Sequence, residues 1–159
     1  MSNDETFLVK SNGCIEIEAP IGDVFRLTND HVAEWSIVVV EEETLNKTPG
    51  GVGSTFRCVT EDHGRRMDFE GVVTRYEPPR RSAVRMTGEA FDIAAEYEFE
   101  DLGTQTRVTQ SSIVHGKGFF RVFLMLFGWA MQKSNCKATQ AELASLKQFC
   151  ENAQRSKDA

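Results

Sequence analysis

The side chains of this 159-residue chain that could do chemistry are three histidines, four cysteines, a few hydroxyls and many acids. His31, His63 and His115 lie far apart and show no metal-ligand spacing, so no metal site is expected. Cys14, Cys58, Cys136 and Cys150 include no Cys-x-x-Cys pair, and in a chain of this size they are expected to be free, buried thiols in a reducing compartment. Nucleophilic catalysis needs a nucleophile beside a base. Ser112 and His115 are three apart on a segment that reads as a strand, which turns them to opposite sides. The run Gly50-Gly51-Val52-Gly53 lacks the lysine of a phosphate-binding loop. Glu70, Asp92, Glu96, Glu98 and Glu100 all point to solvent in the register derived below, so no pair of inward carboxylates is predicted. General acid–base work is left to Tyr97, or to an acid among Glu41, Glu42 and Glu43, whose facing the sequence leaves open. No catalytic residue and no cofactor is assigned.

These residues are positioned by strands. Cys14–Ala19 alternates apolar residues with acids, and Pro20 ends it. A short helix is predicted over Ala19–Asp30 and a second over Asp30–Trp35, followed by a strand over Ser36–Leu45. From Thr55 onward four turns fold the chain into hairpins. Centring the first on His63-Gly64 sets Glu61 opposite Arg66 and Arg57 opposite Glu70. The Pro78-Pro79 turn sets Val73 opposite Val84, since proline belongs in a turn where a missing N–H costs little. Centring the third on Gly88-Glu89 sets Met86 opposite Phe91 and Arg85 opposite Asp92. The fourth, on Asp101 to Thr104, sets Tyr97 opposite Val108 and Gln110 opposite Ala95.

The result is a meander with one wet face, where opposite charges meet, and one apolar face. Phe56, Cys58, Phe69, Met86, Phe91 and Ile93 line the apolar face, with Thr60, Tyr97, Gln110 and Ser112 as its polar members. The arginines around the proline turn read as solvated outer face. A sheet with one apolar face needs a cover. A helix from about 118 to 151 supplies it, presenting Phe123 and Phe127 in its first half and Leu143, Leu146 and Cys150 in its second. Trp35 reads equally as a residue at the mouth of the resulting cup or as core. Gln110 either pairs with Tyr97 or a water, or orients a ligand's oxygen.

Net charge is −6 and the pI about 5.1, so the chain repels phosphate backbones and no nucleic-acid partner is expected. The polar, acidic start "MSNDETFLVK" has no export signal, which points to the cytoplasm. The run Gly118–Met131 is broken by Arg121 and too short to span a bilayer; contact with a membrane or partner through residues 119–131 stays open. One domain over 1–159 is expected, ordered from about 11 to 151 with frayed ends.

The order of strand, two short helices, six-strand meander and long C-terminal helix resembles the START-like, or SRPBCC, superfamily, which includes the polyketide cyclase/dehydrase and birch pollen allergen families. The likeness rests on "IEIEAPIGDVFRLTND", Trp35, "GGVGS", "GVVTRYEPPRR", "TQTRVTQ" and "LASLKQFCE", and runs from about Ser11 to Glu151. It implies an α+β helix-grip fold, in which a curved antiparallel sheet of about seven strands wraps around the terminal helix. It also implies a cavity between them for a small apolar ligand such as a lipid, sterol or polyketide. Three functions follow: a carrier or sensor of such a molecule, a cyclase or dehydratase using the same cavity, or an interaction module using the apolar run. Fold alone does not choose among them, and oligomeric state is not legible.

Overall fold

The protein is described by a computed structural model covering residues 8–158; the side chains of residues 123–125 and 127–134 on the long helix lie outside that description. β1 (Leu8–Ile17) leads through α1 (Ile21–Asp30) and α2 (Val32–Trp35) to β2 (Val39–Asn46). The meander continues through β3 (Thr55–Asp62), β4 (Arg65–Glu77), β5 (Arg81–Thr87), β6 (Phe91–Asp101) and β7 (Thr106–Gly116), and α3 (Phe119–Asp158) closes the chain. The strands form one antiparallel sheet in the order β1-β7-β6-β5-β4-β3-β2. This is the helix-grip arrangement, α+β with seven strands and a long terminal helix.

The first two hairpins have the predicted register: Glu61 faces Arg66, Arg57 faces Glu70 and Val73 faces Val84. The His63-Gly64 turn has φ of 50° and 77°, the positive values that a tight two-residue hairpin requires. The next two hairpins are each displaced by two residues. Met86 faces Ile93 rather than Phe91, Arg85 faces Ala94 rather than Asp92, and Tyr97 faces Gln110 rather than Val108. Ala95 faces Ser112, not Gln110. The turns sit one position later, closed by Gly88 N–H to Phe91 O and Leu102 N–H to Gln105 O. Because side chains alternate with period two, a slip of two changes partners and leaves every face as predicted.

The ordered core is longer than expected at both ends. β1 begins at Leu8 and stops at Ile17, and α3 continues to Asp158, where Lys157 Nζ reaches Asp23 at 3.1 Å. Met1–Thr6 lie outside the described residues. Cys14 is exposed and Cys136 half-buried, so only Cys58 and Cys150 are the buried thiols expected of all four. Cys14 lies on the outer face because Ile15 and Ile17 take the inner one.

Ile17, Val24, Phe25, Trp35, Phe99 and Val108 pack with Leu143, Leu146 and Cys150 of α3 into one buried cluster. The last three recur at the i, i+3, i+7 spacing of a helix face, and all three are fully buried. α3 comes close to the sheet over Gly13, where a Cβ would stand 3.0 Å from Leu143 Cδ1 and 3.1 Å from Thr139 Cγ2. Outer-face charges pair across strands, as in Arg75–Glu96 at 3.1 Å and Arg107 with Glu16 and Glu100 at 2.9 and 3.0 Å. Exposed pairs of this kind contribute about 0–1 kcal/mol each, so the apolar face sets the register.

Candidate functional site

The inner wall starts from the β3–β4 pair. Phe56 lies directly over Gly71, where a Cβ would come within 2.2 Å of its ring. Cys58 and Phe69 face each other in the ladder and both are buried. Met86 and Ile93 face each other on the next pair, half-buried. Phe69, Phe91 and Phe120 then form an aromatic series at one end of the wall, with centroids 5.8 and 6.2 Å apart. Gly88 is required here, since a Cβ would stand 2.6 Å from the Phe69 ring. Lys117 fastens this end: its Nζ donates to Gly88 O at 2.9 Å and lies 2.8 Å from Asp92 Oδ1.

Polar atoms interrupt the wall at a few points. Tyr97 faces Gln110 in the ladder and stacks near Phe99 at 6.4 Å. Gln110 Oε1, Thr60 Oγ1 and Ser82 Oγ are buried without a hydrogen-bond partner. Ser112, by contrast, is satisfied: its Oγ lies 2.6 Å from Ser11 Oγ, which accepts from Thr139 Oγ1 at 3.1 Å. Trp35 sits in the core cluster, its indole N–H donating to Thr28 O at 3.1 Å. Phe123 and Phe127 lie outside the described side chains. Phe119, Val122 and Leu126, from the run 119–131, are exposed on the outside of α3. No helix among the described residues is long and apolar enough to cross a membrane.

Two inward carboxylates are present that alternation along the meander did not predict. Glu42 faces Cys58 in the β2–β3 ladder and therefore shares its inner face. Burial, then repulsion from Asp30, raises its pKa. Its side chain is nonetheless exposed to water. Glu142 comes from α3 and accepts at one oxygen from Ser36 Oγ at 3.0 Å and from the N–H groups of Ile37 and Val38 at 3.0 and 3.1 Å. Burial raises its pKa despite these donors. Burial first, and then repulsion from Glu142 and Glu42, holds the Tyr97 phenol well above its ordinary value, so it stays a neutral donor. Burial, with smaller contributions from Glu42 and Asp68, pushes the Cys58 thiol up to about 12.

Sequence alone left the facing of Glu42 open because β2 reaches β3 through an eight-residue connection and carries irregularities at Val39/Glu41 and Thr44/Asn46. The sequence reading missed Tyr76 for a related reason. A bulge between Val73 and Arg75 shifts the alternation, turning Arg75 out to Glu96 and Tyr76 in to Phe25, 5.4 Å away. Two open depressions on the outer face, about 270 and 240 Å³, are walled mainly by charged chains such as Arg81, Glu98 and Arg107, and Arg57 and Asp68. Most of those charges are already paired with one another.

Residues 9–151 match the model of the family described as polyketide cyclase/dehydrase and lipid transport. Similar solved structures include a protein from Thermus thermophilus, 18% identical with a TM-score of 0.76, the alignment covering 91% of this chain and 98% of that one. A START superfamily protein from Mycobacterium smegmatis is 17% identical, with a TM-score of 0.77 and the same coverage. The Zhui aromatase/cyclase from a Streptomyces species is 16% identical, with a TM-score of 0.72 over 91% of this chain and 94% of that one. At such identities the likeness shows the fold alone. No curated protein matches the chain.

Proposed function

We propose that this chain, which belongs to the polyketide cyclase/dehydrase and lipid transport family, binds a small hydrophobic molecule of lipid, polyketide or aromatic type between its sheet and α3. Phe56, Cys58, Phe69, Met86, Phe91 and Ile93 supply the apolar contacts. The observation that carries this reading is Gln110 Oε1, a buried acceptor without a partner among the described residues on a largely apolar wall. Apolar walls with few convergent polar groups are what ligand sites are built from, and a buried acceptor without a donor costs about 1–3 kcal/mol. Native mass spectrometry of the protein purified from its own host tests it. The expected spectrum contains the chain carrying an apolar molecule, and Ala95→Trp, which fills the space from β6, should remove that species. A bare polypeptide mass, with no uptake of an apolar fluorophore, would overturn it.

A second reading, a cyclase- or dehydratase-like enzyme, is favoured by Glu42. It is an inward carboxylate of raised pKa on the same wall as a neutral phenol, the residue types that general acid–base work on a polyketide-like substrate requires. The bound molecule identified above, returned to the protein as substrate, should then be converted, with Glu42→Gln slowing turnover about a hundredfold or more. Unchanged recovery of that molecule would leave binding as the whole function.

A further inference from the structure

We propose that the site selects an apolar body bearing an O–H or N–H donor and rejects one bearing a carboxylate; this deepens, and rests on, the cavity reading above. Three facts about the inner wall converge. First, among the described residues its buried polar atoms without partners are Gln110 Oε1, which can only accept, and Thr60 Oγ1 and Ser82 Oγ, hydroxyls that can accept as well as donate. A ligand that donates satisfies them, whereas a pure hydrocarbon leaves them bare.

Second, Glu42 looks onto the same space from β2 and forms no ion pair with a described residue. Glu142 approaches from α3, with one oxygen engaged by Ser36, Ile37 and Val38. Both carboxylates raise the pKa of Tyr97 through space, after burial.

Third, the wall has no compensating cation among the described residues. The ladder from β3 to β7, with its bulge before Arg75, sends Arg57, Arg66, Arg75, Arg81, Arg85 and Arg107 outward. Only Arg65 has inner-face parity, and it sits at the exposed tip of the β3–β4 hairpin. A ligand carboxylate would find donors in Tyr97 and in the Gln110 amide, but it would bring a further negative charge beside the carboxyl groups of Glu42 and Glu142, with no counter-ion among the described residues. Like charges a few ångströms apart outside bulk water cost enough to lower affinity at least about tenfold. An ammonium would meet the opposite field, and a neutral hydroxyl could donate to Gln110 Oε1 without bringing a charge.

Titrating the purified protein at neutral pH with naphthol, naphthylmethylamine, naphthoate and naphthalene, and following binding by calorimetry, tests this with one ring system throughout. The expected result is that naphthol, the amine or both bind at least about tenfold more tightly than naphthoate and more tightly than naphthalene. Preference for naphthol identifies a hydroxyl ligand, and preference for the amine identifies a cationic one. Glu42→Gln should narrow the gap by strengthening naphthoate. Naphthoate binding as well as naphthol and the amine, or naphthalene binding as well as both, overturns the inference while leaving the cavity reading intact. If none of the four binds, naphthalene included, the cavity reading fails and this inference fails with it.

Discussion

The carboxylate of Glu142 and the backbone N–H of Val38 meet at 3.1 Å, joining the middle of α3 to the loop that leads into β2. The same oxygen takes the N–H of Ile37 and the hydroxyl of Ser36, and Ser145 Oγ donates to Trp35 O close by. One helix face thus holds the N–H groups of a loop that meets β3 through Val38 O, which accepts from the N–H of Glu61 at 2.8 Å. Glu142→Ala should lower stability by about 1–2 kcal/mol, the loss of charge-assisted bonds partly offset by relief of a desolvated charge. Glu142→Gln keeps an acceptor and should stay within about 0.5 kcal/mol of the parent. Urea denaturation of both variants checks this, and equal losses would mean that charge rather than acceptor geometry does the holding.

Stability should also report Glu42. Burial, then Asp30, lifts its pKa above the ordinary 4.5, so the folded chain holds this proton more tightly than the unfolded one. Its contribution is full below about pH 4.5 and is lost as pH rises through the raised folded value. Glu42→Gln should therefore gain on the parent as pH climbs from 4.5 toward neutrality and show no advantage below it. Denaturation midpoints of the two proteins across that range give the difference curve; a flat one contradicts the raised pKa.

Gly13 should tolerate no branched residue. The Leu143, Gln140 and Thr139 side chains stand 3.0 to 3.1 Å from where its Cβ would be, and Leu143 is fully buried. Gly13→Val is expected to cost about 1–3 kcal/mol by pushing α3 off β1. Thermal or urea unfolding measures it, and a loss below about 0.5 kcal/mol would show that the helix can shift freely.

The four thiols should divide in two. Burial pushes Cys58 and Cys150 each up to about 12, with nearby carboxylates adding to it. At about pH 8 only about one in ten thousand of either is thiolate. Iodoacetamide on the native protein should modify Cys14 first and Cys136 more slowly, and reach Cys58 and Cys150 only after unfolding. Peptide mapping by mass spectrometry reads the order; early loss of Cys58 would mean that its wall is open to reagent.

Which side chains share a face was legible in the sequence, because strand alternation is local chemistry. Phe56, Cys58, Phe69 and Phe91 pointed inward from pattern alone, and survived two hairpins that pair two residues away from expectation. A slip of two conserves parity. What parity cannot report is where it is broken. The bulge at Val73/Arg75 reverses the pattern, sending Tyr76 in to Phe25, and nothing in the run "GVVTRYEPP" marks the extra residue.

The acids of the site belong to the tertiary structure for the same reason. "VVVEEETL" offers three consecutive glutamates, and only pairing with β3, across a connection whose closure no local signal fixes, assigns Glu42 to the face of Cys58. Glu142 comes from a helix whose rotation over the sheet depends on the close approach at Gly13. The sequence by itself determined a two-faced sheet and the helix that covers it, since those follow from side-chain periodicity along one segment. The electrostatics around Glu42, Tyr97 and Glu142 were decided only in three dimensions, because they depend on the distances between β2, β6 and α3, which no local pattern encodes.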